Sequence, residues 1–153
     1  MNFSEFNKIL DKTTNQFFIF STKITRPKYF VKHLYIATNQ KGEINRFEVY
    51  SFKNKKNPDL GHIHKNFTTP TTGHRKKLFN RKEKYNSELI QTITGQLAED
   101  MNKFVNKQYI NYKYKNEYQY IGNNCNTFVD WILKEFPQVK IKLPKTAIGK
   151  KFK

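Results

Sequence analysis

The single cysteine of the chain, Cys125, lies in a segment that can make its thiol reactive. The segment reads Asn-Asn-Cys-Asn-Thr-Phe-Val over residues 123–129, and apolar residues at helical spacing follow it up to Pro137. This pattern predicts a helix that begins at Cys125, where free backbone N–H groups and the positive end of the helix dipole favour thiolate. The same N–H groups can stabilise an oxyanion after attack on a carbonyl. Cys125 is therefore a candidate nucleophile, and burial as a small apolar side chain is the alternative.

Two short motifs resemble those of a known superfamily. Asn-Cys-Asn-Thr-Phe-Val at residues 124–129 is similar to the Asn-Cys-x-x-Phe-Val motif of the circularly permuted papain-like family that includes the lecithin:retinol acyltransferase-like enzymes. In that family a histidine opens a strand of a hairpin early in the chain, and the cysteine opens a helix late in it. His33-Leu34-Tyr35-Ile36 resembles the histidine strand, and its separation from Cys125 is of the kind the family has.

The resemblance implies cysteine chemistry at an amide or ester bond. His33 would take the proton of Cys125, whose sulfur would attack a carbonyl and form a thioester that water or an amine resolves. The Cys125 N–H, with a side chain such as Asn124 or Tyr35, would hold the oxyanion.

The third catalytic residue of the family has no obvious counterpart. The family usually has a polar residue, often a second histidine, on the strand that follows, but no histidine lies between His33 and His62. Asn45 and Glu48 are the available substitutes. We expect Glu48, because a carboxylate can orient the imidazole and stabilise its charged form. An ordinary solvent-facing role for Glu48 is the alternative.

The charge of the chain points to a polyanionic partner. Its 153 residues include 29 Lys plus Arg and 12 Asp plus Glu, for a formal net charge of +17. RNA, DNA, anionic lipid, a cell-wall polymer or an acidic inhibitor protein would suit this charge; a lysine-rich surface from an AT-rich genome is the alternative. Residues 53–85 are predicted to form a long, mobile, basic loop. We expect polyanion contacts from five residues in it: Arg75, Lys76, Lys77, Arg81 and Lys82.

Two other functions compete with thiol chemistry. The first is RNA cleavage on the same frame, with a histidine as general base and tyrosines stacked on bases. The candidates for stacking are Tyr109, Tyr112, Tyr114, Tyr118 and Tyr120. The second is a non-catalytic basic domain that binds nucleic acid or anionic membrane. Size and charge fit a toxin or effector domain, which could be part of a larger secreted protein.

Periodicity predicts an α+β fold in one domain, residues 1–153. Helices are expected at 3–11, 86–106 and 125–136, and strands at 16–20, 32–38, 44–52, 109–120 and 139–143. With the resemblance, this implies a papain-like fold of permuted order, in which an antiparallel sheet packs against a central helix and the cysteine-bearing helix.

Few signals point to a metal, a cofactor or a membrane. His62 and His64 lie on the same side of an extended segment, but a closed zinc site needs four ligands. We expect no cofactor and no metal, and a monomer. No apolar run approaches the roughly 20 residues of a membrane span, and residues 1–5 lack the layout of a signal peptide.

Overall fold

The computed structural model describes residues 1–26, 29–78 and 81–149, with the side chains of these residues except those within 25–30 and 74–85. Short 3-10 helices occupy Pro58–Leu60 and Tyr109–Asn111. The other elements are, in chain order, α1 (Phe3–Ile9), β1 (Asn15–Arg26), β2 (Tyr29–Gln40), β3 (Glu43–Val49), β4 (Ile63–Lys65), β5 (Thr72–Leu78), β6 (Arg81–Asn86), β7 (Glu88–Thr94), α2 (Gly95–Gln108) and α3 (Cys125–Glu135).

Five strands form one antiparallel sheet in the order β4-β3-β2-β1-β7. Strands β1 and β2 pair along their whole length, whereas β2 and β3 pair only from Gln40↔Glu43 to Ile36↔Phe47. The edge of β2 before Ile36 is therefore not paired with β3. This edge meets the start of α3, as described below.

The two faces of the sheet bury different apolar sets. Alternation along the strands sends Phe17, Leu34 and Phe47 to one face, where they pack with residues of α2 and α3 in the main core. It sends Phe18, Phe20 and Tyr35 to the other face, where they pack with Phe6 of α1. The expected α+β class, with an antiparallel sheet against helices, is confirmed.

Helix α3 begins where the sequence predicts. Asn124 is its N-cap: the Asn124 side chain accepts from the Asn126 N–H at 2.9 Å, and Thr127 Oγ1 accepts from the Asn124 N–H at 3.2 Å. This reciprocal capping box satisfies donors that the first turn of a helix otherwise leaves open. It fixes Cys125 as the first residue of the helix.

Three predicted elements are wrong. Residues 88–94 form strand β7 rather than the start of a helix, because β-branched residues there complete the sheet beside β1. Residues 109–120 form a 3-10 helix and turns, and their tyrosines pack on different neighbours: Tyr112 lies 5.1 Å from Phe128 of α3 and Tyr109 lies 5.1 Å from Phe47 of β3, both between ring centroids. Residues 139–143 pack against the core without strand pairing.

The predicted basic loop at 53–85 contains ordered elements. Strand β4 pairs with β3, and β5 pairs with β6 in a separate two-stranded sheet. Backbone pairing, which composition does not reveal, gives this charged segment its structure. Within the described residues, no helix is both long enough and apolar enough to cross a membrane.

Candidate active site

His33 and Glu48 meet at the point where β2 and β3 separate. His33 Nε2 lies 3.1 Å from Glu48 Oε2, and both side chains are buried, with exposed fractions of 2% and 0%. The predicted pairing of these residues is therefore present in the structure. Glu48 is not the solvent-facing strand residue that was the alternative.

Cys125 contacts the same imidazole. Cys125 interacts with the ring through its charge and a side-chain hydrogen bond, and its sulfur also lies 3.5 Å from Asn126 Oδ1. Burial lowers the pKa of His33, but the charge and hydrogen bond of Cys125 together with Glu48 outweigh it and raise that pKa to about 9. His33 is therefore a cation at neutral pH, held between two groups that can carry negative charge.

Arg46 also belongs to the site, although no sequence motif indicates it. Its guanidinium donates to Glu48 Oε2 at 2.7 Å and lies 3.6 Å above the centre of the Tyr35 ring. Burial raises the pKa of Glu48, yet the His33 hydrogen bond and the Arg46 charge lower it to about 2. The alternation along β3 places Arg46 on the face of Glu48, but sequence alone does not show that an arginine is 1% exposed.

The side chain of Asn126 joins the cysteine helix to the histidine strand. Its Oδ1 accepts from the Leu34 N–H at 2.9 Å, and its Nδ2 donates to the Lys32 carbonyl at 3.1 Å. These bonds use the backbone groups on either side of His33, at the edge that β3 leaves open. One buried amide thus sets the distance between the thiol and the imidazole.

The Cys125 N–H is the best placed oxyanion donor. Among the residues that the structure describes, no acceptor bonds to it. Asn124 and Tyr35, the predicted helpers, are committed elsewhere: the Asn124 amide donates to the Tyr120 and Ile148 carbonyls, and the Tyr35 hydroxyl donates to Ser87 Oγ. Capping and core packing use these groups in this structure, and their oxyanion role stays a prediction.

Access to the pair is narrow. A cleft of about 160 Å³ reaches His33 and is lined in part by Tyr50, Tyr118 and Tyr120. Tyr50 stacks on His33 at 5.7 Å between ring centroids and hydrogen-bonds to Glu48. Cys125 is only 3% exposed and does not line this cleft, so its sulfur is almost fully covered in this conformation.

Comparison with known proteins gives a family and no activity. The family described as "Protein of unknown function (DUF3750)" matches residues 15–152. The chain belongs to the DUF3750 family. No curated protein and no solved structure matches it significantly. The match covers every residue of the site, from His33 to Cys125.

Other predicted sites of this DUF3750 protein have mixed outcomes. The five basic residues at 75–77 and 81–82 lie on the β5–β6 hairpin, but their side chains are outside the described part of the chain. Tyr112 is 1% exposed and cannot stack on a base, whereas Tyr118 and Tyr120 line the cleft.

The two histidines considered as metal ligands, His62 and His64, hydrogen-bond to the carbonyls of Tyr50 and Phe52. Within the described residues, no cluster of three or more metal-ligating side chains occurs.

Proposed function

We propose that this DUF3750 protein is a cysteine-dependent hydrolase or acyltransferase that acts on an amide or ester bond. The observation that supports this most directly is the buried His33 imidazole, which contacts the Cys125 thiol and the Glu48 carboxylate together. A hydrogen-bonded nucleophile, base and orienting carboxylate is the arrangement that thiol catalysis needs.

The proposed reaction has two steps. Since His33 is a cation at neutral pH, the reaction starts with the Cys125 proton already on His33. The sulfur attacks the carbonyl carbon while the Cys125 N–H binds the oxygen that becomes negative. The C–N or C–O bond then breaks, and His33 returns the proton to the leaving amine or alcohol. Water or an acceptor amine, deprotonated by His33, attacks the thioester and releases the Cys125 sulfur, and the proton is again on His33.

The order of the elements supports a permuted papain-like frame. The histidine strand β2 precedes the cysteine helix α3, and α3 packs on the sheet with its first residue at the edge of β2. This is the order that the two sequence motifs imply, so we propose the permuted frame together with the chemistry.

RNA cleavage by His33 is less favoured by the same geometry. A general base for a 2′-hydroxyl must be neutral before it takes a proton. His33, whose pKa is raised to about 9, is protonated at neutral pH and is occupied on both sides. The pair suits a sulfur nucleophile better than a hydroxyl substrate.

Trapping the thioester tests the proposal. The purified chain is mixed with small activated acyl esters, such as p-nitrophenyl acetate, and its intact mass is followed over time. We expect one acyl adduct that hydroxylamine removes and that Cys125→Ala does not form, because the chain has one cysteine.

The control variant is Glu43→Gln, an exposed change on the strand that carries Glu48. It should acylate like the wild type. An adduct that persists in Cys125→Ala, or equal acylation of the wild type and His33→Ala, would contradict thiol catalysis.

A further inference from the structure

A second cleft, of about 700 Å³, lies beside the active site. We call it the basic cleft and define it by six of its lining residues: Phe52, Lys53, Lys55, Lys56, Lys65 and Phe67. None of the described residues that line it is a carboxylate. A cleft of one charge sign concentrates ligands of the opposite charge.

Three of the four lysines lack a counter-charge within the described part of the chain. Among these residues, no carboxylate forms an ion pair with Lys53, Lys55 or Lys56, and all three are solvent-accessible. Lys65 Nζ lies 3.4 Å from Asn106 Oδ1, a neutral partner. The cleft therefore carries positive charge that its surroundings do not neutralise.

The loop that carries these lysines is fixed by its own hydrogen bonds. Asn54 Oδ1 accepts from the N–H groups of Lys56 and Asn57, both at 3.1 Å, and Asn54 Nδ2 donates to the Ile63 carbonyl at 3.0 Å. The backbone of the loop is thus set before any ligand arrives, which reduces the part of the ordering cost of binding that comes from the main chain.

Aromatic rings connect the basic cleft to the catalytic histidine. Phe52 and Phe67 are 44% and 53% exposed. Phe52 stacks on Tyr50 at 4.9 Å between centroids, and Tyr50 stacks on His33 at 5.7 Å. A ligand stacked on Phe52 is therefore separated from His33 by Phe52 and Tyr50.

We propose that the basic cleft binds single-stranded nucleic acid. Its lysines contact the phosphates, and the exposed faces of Phe52 and Phe67 stack on bases, the combination by which proteins hold single strands. The cleft would then bring a nucleic-acid-borne substrate to the Cys125 site. The binding itself does not depend on the thiol chemistry, so it stands or falls separately.

The lining favours this ligand over a lipid surface. Membrane-binding surfaces present a broad apolar face to the acyl chains. Among the described lining residues the one aliphatic side chain is Leu60, which is 7% exposed, and the exposed apolar groups are two rings that pack against each other at 5.6 Å between centroids. Rings beside lysines suit bases and phosphates.

Fluorescence anisotropy with labelled 12-nucleotide single strands of RNA and of DNA tests the proposal over a range of salt concentrations. Replacing Lys53, Lys55 and Lys56 by alanine should weaken binding at least tenfold. It should also reduce the slope of log affinity against log salt by about 2, since each phosphate contact contributes about 0.7. Phe52→Ala with Phe67→Ala should weaken binding at least tenfold and leave the slope unchanged.

The matched control replaces three other exposed lysines, Lys8, Lys12 and Lys107, by alanine and removes the same charge. It should change affinity less than threefold. Tighter binding of either RNA or DNA supports the proposal and names the natural strand. Three results would overturn the proposal: equal weakening by the two triple lysine replacements, no binding of either RNA or DNA, or cleft variants that lose binding to phosphatidylglycerol vesicles but keep their binding to single strands. Repeating the titration with Cys125→Ser separates this outcome from the fate of the acyl chemistry.

Discussion

Glu48 is the residue on which the charge arrangement of the site depends. Its Oε2 atom accepts from both His33 and Arg46, at 3.1 and 2.7 Å. A buried carboxylate is costly unless it is paired and hydrogen-bonded, and here two cations share one oxygen. The other terminal nitrogen of Arg46 donates to the Thr69 and Thr72 carbonyls, which holds the guanidinium in place. In the proposed reaction, Arg46 would therefore act through Glu48 as a positioning residue.

Replacing Glu48 by glutamine should slow the proposed cysteine-dependent acyl transfer and change its pH dependence. The imidazole loses one of the two groups that raise its pKa, so the alkaline limb of kcat/KM should move to lower pH. We expect a loss of about 100-fold or more in kcat/KM, in the range of a lost acid–base function. The measurement is kcat/KM for the activated ester against pH, for wild type, Glu48→Gln and Glu43→Gln. An unchanged alkaline limb in Glu48→Gln would contradict this role.

At the scale of elements, three segments converge on the site: the open edge of β2, the first turn of α3 and the turn at 115–120. The last of these is held close by Gly61, where φ is +56°. The Lys115 carbonyl accepts from the His62 N–H at 2.6 Å, and a Cβ on Gly61 would lie 2.1 Å from that same oxygen. This contact holds Tyr118 and Tyr120 over the cleft.

Gly61→Ala should destabilise the protein more than the same substitution at a glycine with positive φ and open space. Gly95, with φ of +70°, has no atom within 4 Å of the point that a Cβ would occupy, so Gly95→Ala tests the backbone conformation alone. We expect a loss of about 1–2 kcal/mol for Gly95→Ala and of more than about 3 kcal/mol for Gly61→Ala, which adds a clash with backbone. Urea unfolding of the two variants measures the difference, and equal losses would contradict a tight contact at Gly61.

Local signals predicted some elements well and others poorly. The start of α3 at Cys125 and the strand that became β3 depend on neighbours in sequence, and both predictions are confirmed. Strand β7 was missed because Leu89, Ile90 and Ile93 also fit helical spacing, and only pairing with β1 decides between the two. The same limit applies to residues 109–120, whose tyrosines pack on several different elements rather than along one strand face.

The residues that meet at the candidate site were predictable from the sequence, and the residues that support them were less so. Cys125, His33 and Glu48 follow from residue type, order and resemblance, and the structure brings them together. Arg46 and Asn126 act through burial and long-range hydrogen bonds, over 92 residues between Leu34 and Asn126. Sequence patterns carry no signal for such contacts, so these two could be found only from the structure.

At the scale of the whole molecule, folding buries His33, Arg46, Glu48 and Cys125 together in a chain that already carries +17. The folded state must hold His33 as a cation among Cys125, Glu48 and Arg46. A group whose pKa is higher in the folded than in the unfolded state stabilises the fold at low pH, and the effect disappears as pH rises through the folded pKa.

The free energy of unfolding should therefore fall between pH 6.5, the ordinary pKa of histidine, and about pH 9, the pKa of folded His33. Urea unfolding across this range, on wild type and His33→Gln, isolates the contribution. The variant should be less stable at pH 6 and should show a shallower decline than the wild type. Parallel curves for the two proteins would mean that His33 is not held as a cation.

The most direct test of the central claim is the alkylation rate of Cys125 by iodoacetamide at pH 6, followed by intact mass. The chain has one cysteine, so a single adduct reports this thiol. If His33 activates Cys125, the folded wild type should react at least tenfold faster than His33→Ala. Equal rates, or a folded wild type that does not react while the urea-unfolded chain does, would show that Cys125 is a buried structural side chain.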